Sequence, residues 1–322
     1  MASVENILIT GGSGFVGHHL LEFYKNTPYQ IYSLSRKAPA LHVRKKFPTV
    51  KFIQCDLSDK DKLQRKLKNI SFEFVYHLAA QSIPSLCEEQ PSETFRSNVV
   101  GTENLLSVLS QLKSKAKILF SSTNLVYGET FKCKKKLKED DLTWPNGNYA
   151  LSKLMAEKIC VEYVERKELD IRIARAFNHF GPGQNQSLAF SSWISQLIQL
   201  EGALNNGKSK TLKTGNLTVQ RDFLFVADVL NAYELILKKG KKGEIYNVCS
   251  SKPIKLGTYV QKLIQVSTIP SKLISVKQDK SLLRKNDFPV ISGNNTKLRA
   301  LGWRQKHDSL QALAIMLVTA RD

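Results

Sequence analysis

The sequence has no hydrophobic run long enough to cross a membrane. No stretch of the 322 residues approaches the roughly 18 consecutive apolar residues of a membrane-spanning helix. The first residues also lack the basic segment and the apolar stretch of a secretory signal peptide. We therefore expect a soluble, cytoplasmic protein with no membrane partner.

Cysteine and histidine are too scattered to suggest a disulfide framework or a metal centre. The five cysteines are odd in number, widely spaced and nowhere arranged as Cys-x-x-Cys. Among the six histidines, His18 and His19 are adjacent and would diverge on a helix, which does not suit the binding of one metal ion. Free thiols in a reducing compartment and no metal site are expected.

Acidic residues are few relative to basic ones. The chain has 48 Lys and Arg against 28 Asp and Glu, which gives a formal net charge of +20 at pH 7. This charge attracts an anionic partner, such as a nucleotide or a nucleic acid. Alternatively, the lysines are ordinary solvent-exposed residues on the helix faces and loops of a lysine-rich chain. Only residues 132–138 form a dense lysine run, so solvation is favoured and no nucleic-acid partner is expected.

Short β-branched runs alternate with amphipathic stretches in the first half of the chain. The predicted strands cover residues 7–10, 31–34, 50–54, 74–78, 117–121 and 171–174. Strands separated by helical patterns form parallel βαβ units, with helices on both faces of the sheet. The sequence therefore predicts an α/β fold, a doubly wound parallel sheet of the Rossmann type with a smaller C-terminal substrate-binding lobe.

The pattern changes after Ala176 to a turn-rich segment and then a helix at about residues 187–201. A late helix (226–239) and strand (244–248) are predicted to return to the first domain. The dinucleotide-binding domain is thus expected to comprise residues 1–176 and about 219–248, and the substrate-binding domain about 177–218 and 249–322. No repeat or low-complexity linker separates them, so we expect intertwined lobes with a cleft between them.

A glycine turn, Gly11-Gly-Ser-Gly14-Phe15-Val16-Gly17, follows the first strand and precedes a helical pattern. Glycines permit a tight turn and a close approach of pyrophosphate, and the N-terminus of the helix offers N–H groups to the anion. The alternative is a plain structural turn, but the strand before it and the helix after it favour cofactor binding.

Ser35-Arg36-Lys37 ends the second strand, where NAD-binding proteins place an acidic residue for the ribose hydroxyls. A guanidinium at this position suits a 2′-phosphate. NADP(H) is therefore favoured and NAD(H) is possible, unless Arg36 merely begins a solvated loop.

Two further strand ends belong to the predicted cofactor site, which also includes Tyr149 and Lys153. Asp56, followed by Leu57, is placed to accept from the adenine amino group, or else to cap the following helix. Leu78, Ala79 and Ala80 end the fourth strand with small residues, against which the cofactor backbone could lie.

Thr123, Tyr149 and Lys153 form a predicted acid–base set. Thr123 follows the fifth strand, where the carboxyl ends of parallel strands line the ligand crevice. Tyr149 and Lys153 are four residues apart and share one face of a helix. A phenol has a pKa of about 10, so a neighbouring ammonium is needed to make it a useful proton donor near neutrality. The alternative is a surface Tyr and Lys on an amphipathic helix.

Together these residues resemble the extended short-chain dehydrogenase/reductase superfamily, in its NAD-dependent epimerase/dehydratase family. More specific segments resemble its branch of GDP-mannose 4,6-dehydratases and GDP-4-dehydro-6-deoxy-D-mannose reductases, and they lie at residues 175–184, 214–223, 246–251, 284–290 and 297–303. The resemblance implies that Asn178 binds the substrate and that Arg221 and Arg284 hold its diphosphate. The expected substrate-binding set is Ser82, Thr123, Asn124, Asn178, Arg221 and Arg284.

One departure from the resemblance favours reduction over dehydration. Elimination of water requires an extra carboxylate, which the dehydratases carry two residues after the Thr. Here that residue is Leu125, preceded by Asn124, and neither side chain is an acid or a base.

The resulting hypothesis is NADPH-dependent reduction of the 4-keto group of a nucleotide-activated 6-deoxy-hexose, GDP-linked by resemblance. Tyr149 would donate the proton, Thr123 would hydrogen-bond the same oxygen, and Lys153 would hold the nicotinamide ribose. The alternatives are a nucleotide-sugar 4-epimerase with bound NAD, a GDP-mannose 4,6-dehydratase, or a basic nucleic-acid-binding protein on this fold. The superfamily also implies a homodimer through helices near residues 92–112 and 149–165.

Overall fold

The computed structural model describes residues 5–134, 136–202, 210–283 and 287–321. The strands are β1 (Asn6–Thr10), β2 (Gln30–Ser35), β3 (Lys51–Gln54), β4 (Phe74–His77), β5 (Lys117–Thr123), β6 (Asp170–Ala176), β7 (Asn178–Phe180), β8 (Lys210–Thr214), β9 (Gln220–Arg221), β10 (Phe223–Phe225), β11 (Ile245–Val248), β12 (Ile254–Lys255), β13 (Ile274–Gln278) and β14 (Val290–Ile291). The helices are α1 (Phe15–Tyr24), α2 (Leu41–Lys46), α3 (Lys60–Leu67), α4 (Pro84–Glu89), α5 (Pro91–Phe95), α6 (Gly101–Gln111), α7 (Asn148–Glu165), α8 (Ala189–Gly202), α9 (Val226–Lys239), α10 (Leu256–Val266), α11 (Thr296–Ala300) and α12 (Ser309–Arg321).

Seven parallel strands form the central sheet, in the order β11-β6-β5-β4-β1-β2-β3. The order reverses at β1, which pairs with β2 on one side and β4 on the other. In a doubly wound sheet a ligand crevice opens at such a reversal, outside the carboxyl ends of the strands. The predicted α/β fold with a doubly wound parallel sheet is confirmed.

Two apolar cores cover the sheet because successive side chains of a strand point to opposite faces. Ile7 and Ile9 of β1 pack in one core with residues of α1 and α9, and Leu8 packs in the other with residues of α3 and α6. All three side chains are fully buried. Burial of this kind stabilises the fold by about 1.5–3 kcal/mol for each aliphatic side chain.

A third core lies among α8, α10 and α12, where Phe190, Trp193, Leu263 and Leu313 are buried together. Smaller sheets pair β7 with β10, β8 with β13, and β9 with β12 and β14. Between α8 and α10 the chain returns to the central sheet, since α9 packs on α1 and β11 pairs with β6. The division into two domains stays a prediction.

None of the helices in the described ranges is long and apolar enough to span a membrane. The same ranges contain no group of three or more His, Cys, Asp or Glu side chains arranged to hold a metal ion.

Candidate active site

The glycine turn brings β1, α1 and the end of β4 into close contact. Gly11 has φ +76°, and a Cβ on it would lie 2.8 Å from the Cα of Ala79. A Cβ on Gly17 would lie 2.2 Å from the carbonyl oxygen of Gly11. Only glycine fits either position, so the backbone stays bare where an anion would approach.

The first turn of α1 is open to such an anion. Gly14 is its N-cap and has no side chain to cap the helix, and the first N–H groups of a helix have no partner within it. Phe15, Val16 and Gly17 supply these N–H groups. The bare turn and the uncapped helix end fit the pyrophosphate of a dinucleotide.

The ends of β2 and β3 lie beside this turn. Arg36 is half-exposed, and its Nη1 donates to Glu93 Oε1 at 3.0 Å. Asp56 Oδ1 accepts from the N–H of Ser58 at 2.9 Å, whereas the cap of α3 is Asp59. Asp56 is thus not the cap of the following helix, and this alternative is wrong.

The carboxylate of Asp56 is held in its ionised form. Burial raises the pKa of Asp56, but hydrogen bonds from Ser58 and the charges of Arg96 and Arg36 lower it more, so it lies below its usual value. An ionised carboxylate accepts hydrogen bonds only. It could therefore accept from the amino group of an adenine.

The end of β4 is held by a buried histidine. His77 Nδ1 lies 2.7 Å from Thr10 Oγ1, and its Nε2 lies 2.9 Å from Thr102 Oγ1. Burial and the charge of Lys153 lower the pKa of His77 to about 3, so the ring is neutral. The two hydrogen bonds of His77 fix the position of the backbone of Leu78, Ala79 and Ala80, where the sequence predicts a cofactor contact.

The structure brings together the predicted acid–base set. Thr123 is the last residue of β5, and Tyr149 and Lys153 lie one turn apart at the start of α7. Burial and the proximity of Tyr233 and Cys87 raise the pKa of Tyr149, while the nearby Thr123 hydroxyl lowers it. The net shift is upward, so the phenol keeps its proton at neutral pH and can donate it.

Lys153 is a buried cation. Its side chain is almost inaccessible to solvent, and Nζ lies 4.1 Å from the centre of the Phe120 ring. Burial lowers the pKa of Lys153 to about 8, although Cys160 and Glu157 oppose this shift. The ammonium of Lys153 therefore loses its proton, and with it its positive charge, as the pH rises slightly above neutrality.

Sequence reasoning missed two groups that position α7. Glu88 of α4 accepts from the backbone N–H and from Nδ2 of Asn148, at 2.7 and 2.8 Å, and so caps the helix one residue before Tyr149. Asn98 donates to Ser152 Oγ at 3.0 Å and to Gln81 O at 3.0 Å. No local sequence signal reveals either contact, because the partners come from distant segments.

A buried ion pair lies further along the same face of α7. Glu157, four residues after Lys153, accepts from both Arg175 Nε and Arg175 Nη2, the latter at 2.8 Å. The hydroxyl of Ser122 on β5 also donates to Glu157. These bonds join α7 to β5 and β6. The spacing of Tyr149, Lys153 and Glu157 on one helix face was a usable signal, but Glu157 was not among the predicted site residues.

The predicted substrate residues differ in their surroundings. Nδ2 of Asn124 and Nδ2 of Asn178 are both buried with no hydrogen-bond partner among the described residues. Unsatisfied buried donors are costly, and a ligand that accepts hydrogen bonds from them would remove this cost. Ser82 is exposed, and the structure shows no such signal there.

One of the two predicted diphosphate arginines, Arg221, is among the described residues. Arg221 is buried and forms an ion pair with Asp287, and its Nη1 donates to Gln220 O and Phe288 O at 2.8 Å each. Its guanidinium is thus engaged in this structure. Arg284 lies outside the described residues.

The doubly wound sheet, the bare glycine turn, the Thr at the end of β5 and the Tyr and Lys in the first turns of α7 define a nicotinamide-dependent oxidoreductase of the Rossmann type. The chain belongs to the NAD dependent epimerase/dehydratase family, whose model matches residues 7–249. This membership confirms the predicted family and the predicted enzyme class.

Two relatives and one solved structure resemble the chain over nearly its whole length. It is 29% identical to GDP-6-deoxy-D-mannose reductase of Pseudomonas aeruginosa over 316 residues, covering 97% of this chain and 96% of the relative. It is 30% identical to dTDP-D-glucose 4,6-dehydratase of Homo sapiens over 320 residues, covering 94% and 86%. The structure of RMD from Pseudomonas aeruginosa complexed with NADPH superposes with a TM-score of 0.81 at 28% identity, covering 98% and 99%.

Proposed function

We propose that the protein reduces the 4-keto group of a nucleotide-activated 6-deoxy-hexose with NADPH, and that this substrate is GDP-4-dehydro-6-deoxy-D-mannose. The observation that carries the proposal is the pairing of the Thr123, Tyr149 and Lys153 site with Leu125 two residues after the threonine. That site can protonate a carbonyl oxygen, but Leu125 is neither an acid nor a base with which to expel a hydroxyl. The similarity to a GDP-6-deoxy-D-mannose reductase supports the substrate, and the similarity to an NADPH complex supports the cofactor.

The bare glycine turn, the first turn of α1 and Asp56 would hold the cofactor, with Arg36 at its 2′-phosphate. When bound, the nicotinamide supplies the hydride that reduces the carbonyl carbon. The chain's own residues supply the proton for the carbonyl oxygen and stabilise the negative charge that develops. Tyr149 donates its proton to the carbonyl oxygen, Thr123 hydrogen-bonds the same oxygen, and Lys153 stabilises the phenolate that remains.

Asn124 and Asn178 would orient the sugar. Each has a buried amide N–H with no partner among the described residues, and sugar hydroxyls are suitable acceptors for it. Pairing these donors with substrate removes the cost of leaving them unsatisfied. Binding energy from this source would favour a hydroxylated substrate over a simple ketone.

The test is whether the purified protein consumes NADPH in the presence of GDP-4-dehydro-6-deoxy-D-mannose, measured as the decrease in NADPH absorbance. Loss of absorbance together with formation of the reduced sugar nucleotide supports the proposal. Conversion of GDP-mannose to a 4-keto product without added NADPH would instead indicate a dehydratase. Tightly bound NAD, with turnover in cofactor-free buffer, would indicate an epimerase.

Reduction is expected to slow as the pH rises through about 8. Burial lowers the pKa of Lys153 to about that value, so its ammonium is present below this pH and is lost above it. The pKa of Tyr149 is raised, so the phenol does not titrate in the same range. The measurement is the pH profile of kcat/KM, which reports groups of the free enzyme.

A Lys153→Arg variant provides the control, because a guanidinium stays charged throughout this range. Its profile should lack the alkaline decline even if its activity is lower. A wild-type profile that stays flat between about pH 7 and pH 9 would contradict the assignment.

We also propose a homodimer formed through α7 and the helices beside it. Leu151 and Met155 lie one turn apart on α7 and are 41% and 42% exposed, and Val100 nearby is 46% exposed. Light scattering should therefore give twice the chain mass of 36.3 kDa. The double variant Leu151→Glu, Met155→Glu should dissociate, whereas Leu41→Glu, which changes an exposed leucine on α2, should not. A wild-type monomer at micromolar concentration would refute the dimer.

A further inference from the structure

The segment after β4 carries a second guanidinium beside Arg36. Arg96 begins a π-helical turn between α5 and α6. Its Nη2 donates to Ser58 Oγ at 2.8 Å, and its Nη1 lies 3.5 Å from Glu93 Oε2. Arg36 Nη1 donates to the other oxygen of the same carboxylate, Oε1, at 3.0 Å. Two arginines from separate elements thus share Glu93.

Packing fixes the π-helical turn against the end of β3. A Cβ on Gly101, which follows the turn, would lie 3.1 Å from Cβ of Leu57. Asn104 Nδ2 donates to Leu57 O at 2.9 Å. Arg96 is therefore held at the carboxyl ends of β2 and β3, at the same edge of the sheet as the glycine turn.

The cluster formed by Arg36, Arg96 and Glu93 is open to a ligand. The arginine side chains are 53% and 58% exposed, and that of Glu93 is 35% exposed. A phosphate monoester carries nearly two negative charges and three strong acceptor oxygens near neutral pH. It matches guanidinium forks at least as well as a carboxylate does. A ribose hydroxyl has no charge with which to displace Glu93.

We propose that Arg36 and Arg96 together bind the 2′-phosphate of NADP(H), and that Glu93 limits this preference by occupying the two guanidinium groups when no phosphate is present. The phosphate takes the place of the carboxylate, whereas NAD(H) leaves the ion pairs intact. This inference rests on the proposed use of NADPH and adds two residues, Arg96 and Glu93, that set cofactor selectivity.

The experiment measures the dissociation constants of NADPH and NADH for the purified full chain by calorimetry, without sugar substrate. Arg96→Gln should weaken NADPH binding about tenfold, the effect of one charge-assisted hydrogen bond, and change NADH binding less than twofold. Glu93→Gln should tighten NADPH binding about threefold, the scale of an exposed ion pair, and leave NADH unchanged. Arg96→Lys should fall between wild type and Arg96→Gln, because it keeps the charge but loses the fork.

Arg65→Gln is the matched control, since it removes one exposed positive charge from α3. It should affect neither cofactor by more than twofold. Equal weakening of both cofactors by Arg96→Gln would overturn the proposal, as would no change in either. Weaker NADPH binding in Glu93→Gln would assign Glu93 to orienting the arginines and would also overturn it.

The ratio of NADPH affinity to NADH affinity in the wild type tests the proposed cofactor, whereas the change of this ratio in the variants tests the roles of Arg96 and Glu93. A wild type that prefers NADH refutes the proposed cofactor, but a shift of that ratio toward NADPH in Glu93→Gln still supports the role of Glu93. Thermal unfolding without ligand verifies that each variant is folded.

Discussion

Tyr149→Phe is expected to lower kcat for ketone reduction by about two to four orders of magnitude, the usual contribution of a positioned general acid. The substitution removes one hydroxyl, which is the group that lies near Thr123 and carries the transferable proton. Affinity for NADPH should change less than about threefold, because the glycine turn and the strand ends are untouched. Steady-state kinetics and cofactor titration together measure both quantities.

Tyr163→Phe is the matched control on the same helix. Its hydroxyl bonds Glu103 Oε1 at 3.2 Å, far along α7 from the strand ends, so its loss should leave kcat within about twofold. If Tyr149→Phe kept more than a tenth of wild-type kcat, another group would have to supply the proton.

Glu157→Ala is expected to lower the free energy of unfolding by about 3–5 kcal/mol, the cost of leaving a buried charge without its partner. The side chains of Glu157 and Arg175 are only 3% and 4% exposed. Burial lowers the pKa of Arg175, but hydrogen bonds and the charge of Glu157 raise it more, so the arginine stays charged. Urea unfolding, monitored by circular dichroism, measures the loss as a lower midpoint.

A double variant and a surface pair separate this effect from simple loss of packing. Glu157→Leu with Arg175→Met removes both charges and should recover most of the stability. Glu162→Ala breaks an ion pair with Arg166 whose members are 52% and 61% exposed, and should cost less than about 1 kcal/mol. A Glu157→Ala protein as stable as Glu162→Ala would contradict the importance of the buried pair.

The ion pair also bears on the active site. Glu157 joins α7 to Ser122 on β5 and to Arg175 on β6, and Thr123 is the residue after Ser122. Loss of these contacts of Glu157 should separate Tyr149 from Thr123 before the protein unfolds. We therefore expect Glu157→Ala to lose activity at urea concentrations where its circular dichroism is still native.

Much of the fold was predictable because each strand is an apolar, β-branched run of its own. The predicted strands of the central sheet agree with the observed ones to within two residues at each end. The remaining differences lie at strand ends, where the local sequence does not indicate at which residue the strand stops. For example, β5 continues to Thr123 because it pairs with β6 through that residue.

The candidate site was predictable only in part. The glycine turn, Thr123, Tyr149 and Lys153 carry short, specific spacings. Asn98 was not predicted, because an asparagine within a helical pattern has no distinctive local signal. Its role depends on Gln81 and Ser152, which lie 17 and 54 residues away.

The layered parallel sheet, the glycine turn and the residue types of the acid–base set follow from the sequence alone, because apolar β-branched runs and short residue spacings are local patterns. The groups that surround these residues are set by long-range packing. Glu88 caps the helix of Tyr149 from 60 residues away, and Arg36 meets Glu93 across 57 residues. Such contacts depend on the order in which strands pair and helices pack, and no local pattern specifies that order. The charge state and selectivity of the site therefore arise from the packing of distant segments.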